Sequence, residues 1–246
     1  PQDVMDLVIT SDGVYYELDG HATSIADQPI QPYFYADVGV SGWSARSVVF
    51  RGGSFETLTD FNPVIAAPIN DYMTQTVESE LAQTGWYPNL PLGLQATTEN
   101  SNLVVQLGQF NSSSAQTRLY NALDFDLYYS LSTDHKPPTV TVVTALVHST
   151  ISQVELKVGV VDVSGVERVL VTYTDGGGQW NSAELAFNST TYKWYGSFAG
   201  SRATSYFVQA VDGAGNTALV TNKGLYFNPV EANDITHSVY LPMLLR

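Results

Sequence analysis

Three residues near strand ends, Asp162, Asp212 and Asn216, carry the side chains best suited to holding a metal. Calcium takes six to eight hard oxygen ligands, and carboxylate and amide oxygens on loops that converge are its usual donors. Asp162, Asp212 and Asn216 are therefore the candidate calcium ligands, with Asp175 nearby in type and context. Asp and Asn before Gly are also ordinary turn formers, and no D-x-[DN]-x-[DN]-G loop occurs, so no cofactor is required and calcium is the one metal considered.

The side chains that catalysis needs are present but scattered. A nucleophile–base pair would need one of His21, His135, His148 or His237 beside a Ser or Thr. None of these histidines sits in a G-x-S-x-G, H-E-x-x-H or S-x-x-K pattern. Asp124 with Asp126, and Glu78 with Glu80, have the i, i+2 spacing that puts two carboxylates on one strand face, as glycoside hydrolysis would want. A solvated sheet face has the same spacing. The sequence assigns no catalytic residue, and the expectation is a protein that is not an enzyme.

Aromatic rings offer binding instead. Trp86 and Tyr87 precede Pro88 in a loop-like stretch and are the candidate ligand-binding pair, with polysaccharide as the candidate ligand through ring stacking. Trp180 and Trp194 lie in alternating apolar runs and are expected in the core.

These residues hang on strands. Period-2 alternation predicts seven strands downstream of residue 138: Thr139 to Val143, Val154 to Val160, Val166 to Tyr173, Trp180 to Phe187, Tyr192 to Phe198, Tyr206 to Val211, and Ala218 to Phe227. Upstream, Met5 to Ile9, Val14 to Leu18, Tyr33 to Val40, Ser47 to Phe50, Leu103 to Phe110 and Leu119 to Leu131 read as strands, while Asp71 to Ala82 fits helix or strand. The Pro137-Pro138 pair after a polar run predicts an extended spacer. The expected plan is all-β: a β-sandwich-like domain over 1–132, a linker over 133–138, an immunoglobulin-like domain over 139–229, and a tail strand over 230–246. In that tail Ile235, Val239, Leu241, Met243 and Leu245 fall on alternate positions and would form an adhesive edge unless paired.

Composition sets the compartment. The 246 residues are 44% hydrophobic but only 14% charged, and the net charge is −14. That sign disfavours nucleic acid and anionic membrane as partners. Cysteine is absent, which excludes disulfides and thiolate chemistry and favours a prokaryotic secreted protein over a eukaryotic one. No apolar run is long enough for a membrane-spanning helix. Asn111 and Asn188 stand in N-x-S/T sequons, a pattern common by chance in a chain this rich in Asn, Ser and Thr.

Two resemblances follow from particular residues. Asp162-Val163-Ser164-Gly165-Val166 and Ala210-Val211-Asp212-Gly213-Ala214-Gly215-Asn216 resemble the bacterial immunoglobulin-like and fibronectin type III family over about 90 residues. This implies a sandwich of a secreted surface protein and specifies fold, not activity. Gly85-Trp86-Tyr87-Pro88 through Leu103 to Phe110 is similar to regions beside the catalytic domain of secreted gingipain-like proteases. Tyr240-Leu241-Pro242-Met243-Leu244-Leu245-Arg246 resembles short C-terminal motifs of bacterial surface proteins, which implies anchoring or sorting. The expected function is an extracellular, non-enzymatic surface or structural protein that assembles as a homo-oligomer or filament by strand addition through its tail. The alternatives are an accessory region of a larger secreted protease, partnered by parent-chain domains, and a carbohydrate-binding or adhesion module.

Overall fold

The computed structural model describes residues 5–67, 85–96, 100–148 and 150–232. The described chain is all-β and holds no α-helix. It divides into two compact units, one of residues 1–38 and 54–122, the other of 39–53 and 123–246. This division departs from the sequence boundary at 133–138: residues 39–53 and 123–132 belong to the second unit. The segment over Asp71 to Ala82, including Glu78 and Glu80, lies outside the described residues. So do His237 and the tail positions Ile235, Val239, Leu241, Met243 and Leu245.

In the first unit β1 (Met5–Ile9) and β2 (Val14–Leu18) form a hairpin. Two longer elements are shared between the units. The division crosses β4 (Ser44–Leu58) after Gly53 and β9 (Gln116–Ser130) after Ala122. In the first unit β3 (Tyr33–Asp37), β7 (Ser101–Gln106) and β6 (Leu92–Ala96) form an antiparallel three-stranded sheet. The short strands β5 (Trp86–Tyr87) and β8 (Gly108–Asn111) pair with each other, and β8 pairs with the first part of β9. Leu18, Phe55, Leu92, Leu103, Val105, Phe110 and Tyr120 are buried in this unit.

The second unit contains two facing sheets. The first has the order β14 (Ala186–Asn188), β15 (Lys193–Ala199), β11 (Gln153–Val161), β10 (Thr139–His148), β18 (Val230–Glu231). The second runs β17 (Thr217–Val220), β16 (Ser205–Asp212), β12 (Val166–Thr174), β13 (Gln179–Glu184), with β4 next to β13 in the hydrogen-bonded order. Val154, Leu156, Val158, Trp194 and Phe198 of the first sheet pack on Val169, Val171, Tyr206, Val208 and Ala210 of the second. Trp180 and Trp194 are buried, as their runs predict. The expected strand over Trp180 to Phe187 breaks at buried Leu185, whose N–H donates to the Val169 carbonyl (2.9 Å) while the chain crosses from one sheet to the other.

The second sheet is covered on its outer face as well. Val49 packs with Leu170 and Val211, and half-buried Tyr128 lies against them. Phe50 stacks on Phe207 at 6.4 Å, and Trp180 fits between Phe207 and Tyr226. A buried polar set fixes this cover. The Gln209 side chain accepts from the Phe50 N–H (3.0 Å) and donates to the Phe50 carbonyl (2.7 Å), to which Thr172 also donates (3.0 Å). A buried strand whose backbone groups lacked such partners would be costly. Gly52 is required where the two backbones meet: a Cβ there would lie 2.6 Å from the Trp180 carbonyl oxygen.

Candidate functional site

Three segments meet at one end of the second unit. The β11–β12 loop carries Asp162, whose Oδ1 accepts from the Ser164 N–H (2.7 Å) and hydroxyl (2.6 Å). The β16–β17 turn carries Asp212, fully buried, whose Oδ1 accepts from the N–H groups of Ala214 and Asn216, both at 2.8 Å. Gly215 holds that turn with φ 81°, a left-handed conformation that glycine adopts without steric penalty. The Gly213 N–H donates to the Gly165 carbonyl (3.0 Å) and ties the two loops together.

The third segment is the run expected to be an extended spacer, and it is docked here. Arg46 donates to the Ser132 carbonyl and sits 3.0 Å from His135 Nε2. The Asn216 amide nitrogen reaches the carbonyls of Asp134 (3.3 Å) and Lys136 (3.4 Å). This brings Asp134 to Asp162 and Asp212, with one carboxylate oxygen of each within 4.8 Å of the others. Chemically the trio is a set of hard oxygen donors of the kind calcium takes. Asn216, expected as a ligand, serves as a strut. Its amide nitrogen donates to Asp212 Oδ2 (2.9 Å), so its donor side faces the carboxylates. Asp134 was missed because a polar run before two prolines reads as linker.

Asp162 also lines a groove of about 390 Å³ with Val160, Val161, Val166, Phe187, Tyr192 and Trp194. Phe187 lies 5.4 Å from Trp194 and 6.4 Å, edge to face, from Tyr192. Phe187 is 52% exposed and Tyr192 is 75% exposed. Phe187 stands on β14, the edge strand of its sheet, all three residues of which are exposed. Its exposed position on a three-residue edge is the signal that sequence reasoning passed over.

The other sequence candidates go elsewhere. Trp86 and Tyr87 are not in a loop but form β5, half-buried in the first unit. The Arg118 guanidinium covers the Trp86 ring at 3.8 Å and the Phe55 ring at 4.5 Å, and burial raises the Tyr87 hydroxyl above its ordinary pKa. The Trp86 face expected to stack on sugar is thus occupied by a cation. Asp126 lies 2.6 Å from Arg168 Nη1 and 3.2 Å from Arg51 Nη1. Burial works against its charge, but hydrogen bonds from Arg168 and Arg51 outweigh that and hold its carboxyl below the ordinary range. A glycosidase acid needs the opposite shift. Asp124 is exposed. Arg168, bonded also to Glu184 and the Tyr128 hydroxyl, is held still more firmly protonated. His148 pairs with Glu155 at 3.3 Å, and His21 packs edge-on to Tyr33.

No family model matches the chain, and no curated protein matches it. Among solved structures, gingipain K from Porphyromonas gingivalis, in a structure bearing on its zymogenic latency, is similar at 12% identity and TM-score 0.36. The match covers 52% of this chain and 81% of that one. A complex of the pro- and mature domains of Porphyromonas gingivalis RgpB is similar at 16% identity and TM-score 0.39, over 53% of this chain and 76% of that one. Likeness at this level carries no argument about activity or partner. No helix among the described residues is long and apolar enough to cross a membrane.

Proposed function

We propose that the chain is a non-enzymatic extracellular structural protein of prokaryotic type, which associates with copies of itself by strand addition. In this reading the second unit is an immunoglobulin-like sandwich. The observation that supports it is the pair of abbreviated edges on the five-stranded sheet: three-residue β14 on one side and two-residue β18 on the other. An edge strand presents unpaired backbone N–H and C=O groups to which another strand can add. Beyond β18 the sequence supplies alternating apolar residues from Ile235 to Leu245. A non-enzymatic role agrees with Asp126 being engaged by two arginines and with His135 lying against Arg46.

The test compares the full chain with a form ending at residue 234, by sedimentation velocity and negative-stain electron microscopy. The full chain is expected to form dimers and longer species that increase with concentration, and the shortened form to remain monomeric. Assembly that survives the deletion rejects strand addition through the tail. A full chain that stays monomeric at its highest soluble concentration rejects assembly altogether.

A further inference from the structure

We propose that the groove beside β14 is the acceptor for residues 233–246 of a second copy of this chain. This rests on the assembly reading above and assigns the two partners in the contact.

The groove has the chemistry of such a segment. Its walls are aliphatic and aromatic, from Val160, Val161, Val166, Phe187, Tyr192 and Trp194, with Asp162 at one end. Asp134 and Asp212 stand within 4.8 Å of Asp162 and concentrate negative charge there. The segment brings Ile235, Val239, Leu241, Met243 and Leu245 at alternate positions, and after Asp234 its one charged side chain is the cationic Arg246. In strand addition, backbone bonds at an edge give affinity while alternate side chains fill pockets. Pro242 has no N–H to donate, so the paired stretch lies before it and Met243 and Leu245 contribute by burial.

Tyr192 singles the groove out. Its backbone has φ 53°, a left-handed conformation unusual for a bulky residue, and its ring stands 75% exposed. Such a conformation is strained for a bulky residue. The ring rests edge-on against Phe187 and keeps most of its surface open to an incoming side chain.

The direction of β18 fits a second copy as the donor. β18 runs parallel to β10 beside Leu146 and Val147, toward the His148 end of that strand. The groove lies at the other end, where Val160 pairs with Val140, and on the opposite edge of the sheet. β18 itself therefore runs away from the groove of its own chain, which fits a donor from a second copy, and such a contact is heterologous and propagating.

The natural chain has no cysteine, so cross-linking can be read without background. One full-length variant carries Asn188→Cys on β14 and another Val239→Cys in the tail, and the two are mixed and joined with a bis-maleimide whose reach tolerates a small register offset. A covalent dimer from the mixture is expected, together with self-association weakened about tenfold or more in Tyr192→Asn. Asn tolerates the left-handed backbone, so this variant should match or exceed the wild-type Tm. If the full chain assembles but the mixture gives no dimer and Tyr192→Asn assembles normally, the groove assignment is overturned and tail-driven assembly stands. A double variant that links within one chain at high dilution shows that each tail fills its own groove and also overturns it. Polysaccharide binding that is lost in Tyr192→Asn, with no tail cross-link, assigns the groove to a glycan instead. A wild-type chain that never assembles removes both readings.

Discussion

The two sheets of the second unit share one core yet differ in what covers their other faces. β11 alternates strictly over Val154 to Val158: Val154, Leu156 and Val158 are buried, and Glu155 and Lys157 are exposed. β12 and β16 do not alternate in this way. Val169 through Thr172 and Tyr206 through Asp212 are buried without interruption. A strand covered on one side alternates, whereas a strand covered on both sides reads as a continuous apolar run. The second sheet is therefore covered on its outer face as well, where Val49, Phe50 and Tyr128 pack. Strands that look alike in sequence can thus differ in whether their second face meets solvent.

Substitutions on the two outer faces sharpen this contrast. Phe207→Ala, on the outer face of β16, should cost about 4 kcal/mol in denaturant unfolding, as for a buried core phenylalanine. A loss under about 1 kcal/mol would mean that the outer layer is a loose cover. Gln209→Leu should cost about 3 kcal/mol, because the Phe50 N–H and carbonyl lose their shared partner inside the protein. Gly52→Ala should cost about 2 kcal/mol, since a Cβ would press on the Trp180 carbonyl and backbone would have to move.

Asp126→Asn probes the rim of the same face through pH. A carboxylate whose folded pKa is depressed stabilises the protein above its unfolded value of about 3.9, and that contribution is lost as pH falls through the folded pKa. Tm measured against pH should therefore show the variant below wild type at neutral pH and the two curves converging in acid. The gap should be modest, because Asp126 is partly solvated. Lys157→Ala, on the exposed face of β11, should change stability by less than about 0.5 kcal/mol. An effect there as large as that of Phe207→Ala would abolish the distinction between the sheets.

Much of the strand layout was legible because alternation and turn residues agree. The expected strands over Val154 to Val160, Val166 to Tyr173 and Tyr206 to Val211 differ from the observed ones by one or two residues at their ends. The runs V-L-V-T and Y-F-V-Q-A-V, read as alternating strands, are buried on both faces instead. What sequence could not supply was the identity of the cover, since Val49 and Phe50 come from far upstream and nothing local couples them to Gln209. Asp162 and Asp212 were legible as residues of strand-end turns. Asp134 was not, because its place depends on Asn216 and Arg46 capturing a run that looks like linker. Phe187 and Tyr192 look like ordinary strand aromatics, but Phe187 stands on an edge strand and Tyr192 in the turn that follows it.

The wrapping of β16 by residues 44–53 has an evolutionary corollary. A stretch such as 139–229 looks like a cassette that recombination could copy into other genes. Cut out alone, it would present Leu170, Phe207, Val211 and Trp180 to water, and a patch of that kind invites aggregation. A graft of this module into another host would then have to carry its distant cover along.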